Sequence, residues 1–120
     1  MPGTTAPNVR ARWHTDGMQI DEMAGEVESV SVSYAERNGI DRTDEWLILK
    51  LNEEVGELTQ AFLARSGQGR DKGLDEEQLD DEFRAELADV LAHVLLIARR
   101  FDVDLDDEIR RKWLVWKPSR

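Results

Sequence analysis

The sequence predicts an all-α domain with the character of a four-helix bundle. Three observations carry that expectation. Apolar residues recur at three- and four-residue spacing through four successive segments, no segment alternates with period two, and Asn, Gly, Thr or Asp stands where one periodic segment gives way to the next. No period starts before about Gln19, and Pro2, Gly3, the Thr4-Thr5 pair and Pro7 crowd the first residues, so positions 1–17 read as a flexible arm. The helical domain is expected over 18–117, with 118–120 as a short tail.

The first helix carries Ile20, Met23, Ala24, Val27, Val30, Tyr34 and Ala35 on one arc and stops at Asn38-Gly39. The second starts at Thr43-Asp44-Glu45, where a hydroxyl can cap the helix and acids favour its positive end. Its stripe of Trp46, Leu47, Leu51, Val55, Leu58 and Phe62 runs out at Ser66-Gly67-Gln68-Gly69. The stretch from Ser66 to Gly73, with three glycines and the charges Arg70, Asp71 and Lys72, reads as a surface loop that serves either as a lid or as a plain connection. The third helix follows Phe83, Leu87, Val90, Leu91, Val94, Ile97, Ala98 and Phe101, and Leu74 to Leu79 reads as a short lead-in helix before it. The fourth has acids from Asp102 to Asp107 ahead of Ile109 and the cations Arg110, Arg111 and Lys112 behind it, the charge order that suits a helix dipole, and ends near Trp116 before Pro118. The broad apolar arc of the third helix is more than one small copy can cover, which predicts completion of the bundle by a homodimer.

Composition narrows the function. Among 120 residues, 26 acids face 16 Lys and Arg, a net charge of −10, so a polynucleotide partner, which needs a basic stripe, is not expected. The absence of cysteine removes disulfides, thiol nucleophiles and thiolate zinc sites. No apolar run approaches the length of a membrane span, and the first residues lack the basic and apolar regions of a signal peptide, so a soluble, cytoplasmic protein is expected.

The acidity is uneven. Residues 44–57 carry a net −4 and residues 75–89 a net −7, and most of these acids belong on solvated helix faces. Some do not. On a wheel of about 100° per residue, Glu54 falls inside the arc of Leu47, Leu51, Leu58 and Phe62, and Glu57 lies at its margin. Glu86 borders the stripe of Phe83, Val90 and Ile97, and Asp89 follows one turn later. Each pair is spaced i, i+3, so both side chains leave one helix face, and antiparallel packing of helices two and three would bring the pairs together. Four converging carboxylates either take up protons or hold a cation, and an all-oxygen set points to Mg²⁺ or Mn²⁺. The alternative is that all four are ordinary surface acids.

The run Lys50-Leu51-Asn52-Glu53-Glu54-Val55-Gly56-Glu57-Leu58, followed by Glu86-Leu87-Ala88-Asp89-Val90-Leu91, resembles the EExxE and ExxD signature of the MazG-like, all-α nucleoside triphosphate pyrophosphohydrolases. The resemblance spans roughly Asp44 to Trp113. It implies hydrolysis of a nucleoside or deoxynucleoside triphosphate between the α and β phosphates, giving monophosphate and pyrophosphate. It further implies Mg²⁺ ligation by Glu54, Glu57, Glu86 and Asp89, with Glu53 orienting or deprotonating the attacking water. Lys112 and Arg111 are candidate phosphate contacts, since a basic residue after a short final helix resembles the family's C-terminal lysine; Lys50 is a further candidate substrate contact, Arg65, Arg70 and Lys72 are weaker candidates, and the resemblance implies a dimer or a dimer of dimers. Trp46 and Trp113 either stack on a base or serve core and interface, and Trp13 in the arm is a candidate to fold over a partner's site. His93, four residues after Asp89, serves as a further ligand, a hydrogen-bond partner or a packed core residue. Arg99 and Arg100 are expected to pair with acids. The 28 residues between Glu57 and Glu86 and the lack of a match to the base-holding set of pyrimidine-specific members leave base preference open. Two other classes fit the same composition: an acidic helical protein-interaction module, and a nucleotide- or metal-binding sensor without turnover.

Overall fold

A computed structural model describes residues 18–70 and 73–119, so the expected arm, Trp13 and Lys72 lie outside the described residues. It contains four α-helices: α1 (Ile20–Asn38), α2 (Asp44–Arg65), α3 (Glu76–Arg100) and α4 (Leu105–Lys112), followed by a 3₁₀ turn at Leu114–Trp116. Among the described residues there is no strand. The all-α architecture expected from the periodicity is present.

Each boundary has a local cause. α1 ends where Gly39 adopts φ 62° and its N–H closes on the Ala35 carbonyl, a left-handed cap that a side chain with Cβ disfavours. Thr43 caps α2, its Oγ1 accepting from Trp46 N at 3.0 Å. One expectation is corrected at α3: Leu74–Leu79 is not a separate lead-in helix. Asp75 Oδ1 accepts from Gln78 N at 2.8 Å while Gln78 Oε1 accepts from Asp75 N at 3.0 Å, a reciprocal capping box that starts α3 at Glu76 and lets it run unbroken through Phe83 to Arg100. α3 closes on Asp102 at φ 54°, with Val103 N reaching the Ala98 carbonyl at 2.8 Å. Asp104 then caps α4.

The central unit is the α2–α3 pair. Its ends are marked by ion pairs, Asp44 with Arg100 at 2.8 Å and Arg65 with Asp80 at 2.9 Å, so the start of one helix lies beside the end of the other and the packing is antiparallel. Phe62 and Phe83 meet at 6.2 Å between ring centroids, and the Arg65 guanidinium lies over Phe83. α1 packs on α3 and is tied to the chain leading into α2 by the Glu28–Arg42 ion pair. Of the two basic residues at the end of α3, Arg100 bonds an acid as expected. The core is thin: Leu47 and Leu95 are its large fully buried side chains, and Ala24, Ala35, Ala61, Ala64 and Ala98 make up much of the remainder.

Not all of the expected stripe is covered. Ile48, Val55 and Phe62 on α2 and Leu87 and Leu91 on α3 are exposed, and on the wheel they share the side of the α2–α3 layer away from α1. Leu47→Ala, by contrast, empties the centre of the layer, and chemical denaturation is expected to show a loss of about 2–5 kcal/mol.

Candidate functional site

The antiparallel seam carries the carboxylates to one place. α2 supplies Glu54 and Glu57 one turn apart, α3 supplies Glu86, and one oxygen from each lies within 4.8 Å of the others. Glu54 is only 4 % exposed, Glu86 is half-buried, and Glu57 opens to solvent. Asp89 stands outside this three-way cluster, half-buried one turn along α3 on the side facing α1.

These groups act on each other. Burial, and then the neighbouring charges of Glu57 and Asp89, raise the Glu54 pKa above its ordinary value. Burial, Asp89, Glu57 and Glu54 together push Glu86 up to about 7. Asp89 is raised as well, chiefly by burial. Glu54 Oε2 and Glu86 Oε2 are both buried without a hydrogen-bond partner among the described residues. Buried carboxylate oxygens are costly when unpaired, and two beside each other are costlier. A hard divalent cation fits this arrangement: oxygen donors, excess negative charge, orphaned lone pairs and one ligand open to water.

Next to the cluster, α1 closes a cavity of about 340 Å³. Glu54 and Asp89 form its acidic edge, Lys50, Ser31 and His93 its polar wall, and Trp46 with Val27, Val30, Tyr34 and Leu96 its apolar wall. His93 Nδ1 lies 2.8 Å from the backbone carbonyl of Asp89. A carbonyl only accepts, so Nδ1 carries the proton, and of the expected roles this contact is that of a hydrogen-bond partner to a candidate ligand residue. Lys50 Nζ bonds Glu53 Oε2 at 3.2 Å, and Glu53 itself is exposed, on the solvent side of the cluster.

The other expected residues lie elsewhere. Arg111 and Lys112 are on α4 and Trp113 follows it, all exposed and none lining this cavity, and Arg111 pairs with Asp107 and Glu108 of its own helix. Arg65 is engaged with Asp80. Conversely, α1 contributes a cavity wall that the acidic motifs do not mark. Ser31 is buried and Tyr34 lines the cavity four residues after Val30. A buried serine on an otherwise apolar arc is the signal that could have marked α1 as a site wall.

The chain matches the MazG nucleotide pyrophosphohydrolase domain over residues 42–113, more than half its length. It belongs to that family. The match takes in α2, α3 and α4 and therefore every carboxylate of the cluster, while the α1 wall lies before it. No curated protein and no solved structure matches the chain. The MazG domain thus rests on the seam, and the cavity is completed by a helix outside the matched region.

Two measurements follow. Glu86 titrates near 7 in the fold and near 4.5 when unfolded, so the folded state holds the extra proton between those values. Its contribution to stability is complete below about pH 4.5 and is lost as pH rises through 7. Metal-free protein should melt higher at pH 5.5 than at pH 8, and a saturating divalent cation should raise the pH 8 value. Glu54→Gln removes the most buried charge and should raise the metal-free melting temperature at pH 8 by about 4–8 °C, equivalent to ~1 kcal/mol, while reducing the shift on adding metal.

Proposed function

We propose that the chain is a divalent-cation-dependent nucleoside triphosphate pyrophosphohydrolase that cleaves between the α and β phosphates, releasing a nucleoside monophosphate and pyrophosphate. The observation that carries this reading is the seam itself, where buried, unpartnered oxygens of Glu54 and Glu86 meet Glu57 beside a cavity of nucleoside size. Membership of the MazG family supplies the reaction class.

In this reading Glu54, Glu57, Glu86 and Asp89 hold Mg²⁺, with Mn²⁺ as a substitute. The bound ion supplies neutralisation of phosphate charge and polarisation of water. Glu53 accepts the proton from the attacking water on its carboxylate, and Lys50, bonded to Glu53 Oε2, orients that carboxylate. The water oxygen forms the new bond to phosphorus as the α–β bridging bond breaks, and pyrophosphate leaves. The base enters the cavity between α1 and the seam, against Trp46. Lys112 and Arg111 contact phosphates and Trp113 lies near the nucleotide.

The exposed α2–α3 face is covered by a second copy, giving a homodimer or dimer of dimers. Its paired apolar stripes are of the kind that two copies bury against each other. Among the described residues no helix is long and apolar enough to cross a membrane. The protein is proposed to work in the cytoplasm on free nucleotides, not on polynucleotides.

A panel of ordinary and modified nucleoside triphosphates with Mg²⁺ or Mn²⁺, read by mass, tests the reading. Monophosphate and pyrophosphate in equal amounts are expected from at least one member. Nucleotide binding without product would instead make the chain a sensor, and neither binding nor product would make it an interaction module. Glu53→Gln should lower kcat by about 100-fold or more with metal affinity unchanged, because the base does not ligate the ion.

A further inference from the structure

The cavity beside the seam holds polar groups that the fold leaves unspent. Elsewhere, helix hydroxyls are tied to their own backbone: Thr59 Oγ1 donates to the Val55 carbonyl at 3.0 Å and Ser66 Oγ to that of Leu63 at 3.1 Å. Ser31 on α1 makes no such bond. It is 9 % exposed, and its Oγ has no partner among the described residues yet is not closed off, so the atom opens onto the cavity that Ser31 lines. His93 lines the same cavity from α3 and is 8 % exposed. Its Nδ1–H is spent on the Asp89 carbonyl at 2.8 Å, while Nε2, across the ring, has no partner and is not closed off either. Two deeply buried polar side chains thus open into one space, where an unmet hydrogen bond is costly.

The two groups differ in one respect. A hydroxyl turns to donate or to accept, whereas Nε2 of a ring protonated on Nδ1 carries a lone pair and only accepts. The rest of the cavity does not shift this balance toward donors. Glu26, Glu54 and Asp89 line it with carboxylates, and Lys50, the cation on its wall, is already bonded to Glu53 Oε2 at 3.2 Å. The polar wall therefore calls for N–H groups from whatever enters. Nucleobases divide on this point. Cytosine and adenine carry an exocyclic amine, whose two N–H groups can meet Nε2 and a Ser31 lone pair together. In uracil and hypoxanthine a carbonyl takes the place of that amine on a ring of the same size, and its lone pairs oppose that of Nε2.

We infer that this cavity selects nucleobases bearing an exocyclic amine over those bearing a carbonyl in its place, with His93 Nε2 as the selecting acceptor and Ser31 as a second contact that adapts to either. Placing a base here rests on the pyrophosphohydrolase reading; the direction of the preference rests on the unspent atoms. Ser31 and Glu26 stand before residue 42, where the family match begins, so this wall is not set by the matched domain.

Two matched pairs of substrates test it, each differing in the amine alone: deoxycytidine against deoxyuridine triphosphate, and deoxyadenosine against deoxyinosine triphosphate. In kcat/KM with Mg²⁺, the amine member of each pair should lead by at least about tenfold. His93→Phe keeps a ring and removes the acceptor, and should bring both ratios close to unity. Ser31→Ala should lower kcat/KM for all four substrates and leave the ratios standing, because the hydroxyl serves either group. Wild-type ratios near unity or inverted, or ratios that survive His93→Phe, overturn the selection. The wild-type ratios decide the matter even where the His93 variant does not fold.

A second arm measures binding of the four unphosphorylated deoxynucleosides to the full chain by calorimetry, which separates the cavity from the reaction. Tighter binding of deoxycytidine and deoxyadenosine by a chain that hydrolyses no triphosphate removes the enzyme and leaves the selection. Hydrolysis of all four triphosphates at equal kcat/KM removes the selection and leaves the enzyme.

Discussion

Glu54 and Glu86 face each other across the α2–α3 seam with oxygens that no donor reaches, and Glu57 adds a third carboxylate within 4.8 Å. Left to themselves these groups would move apart. They are held by packing on both sides of the site: Asp44–Arg100 at one end, Arg65–Asp80 with the Phe62–Phe83 contact at the other, and Leu47 and Leu95 in the core. The fold therefore spends stability to keep the cluster closed, and the raised pKa of Glu86 is one measure of that strain. A cation at the seam turns the same repulsion into attraction, so the unit is most comfortable when loaded.

The second dependence is on α1. The seam alone is an edge; with α1 laid across α3 it becomes the rim of a cavity whose far wall is apolar. Charge chemistry and shape selection are thus assigned to different elements. The carboxylates come from within the region shared with the MazG family, and much of the cavity wall comes from the helix preceding it. Substitutions on α1 can change what fits the cavity without touching the metal-facing oxygens.

Much of this was legible in the sequence because helices are periodic and their ends are chemically marked. Thr43, Asn38-Gly39 and the acid-to-base order of α4 locate boundaries through caps and dipole, interactions within a few residues of each other. The convergence of Glu54, Glu57 and Glu86 was legible once antiparallel packing was assumed. Periodicity alone splits Leu74 to Leu79 from the stripe that continues it, because the reciprocal Asp75–Gln78 capping box that starts α3 is a local hydrogen-bond feature and not a periodic one. The α1 wall was not legible, since which face of α1 meets which side of α3 is fixed by packing between distant segments. Asp89 fell one turn off the cluster for a related reason: the wheel gives direction around a helix but not the distance across a seam.

The capping box has a consequence beyond starting α3. Asp75 and Gln78 fix where the helix begins, and Arg65–Asp80 fixes how far along α2 it sits, both from residues outside the stretch between Ser66 and Leu74. Axial register is thereby uncoupled from the span that joins the two helices. Residues added or removed in that span of this chain would leave the spacing of the carboxylates across the seam unchanged.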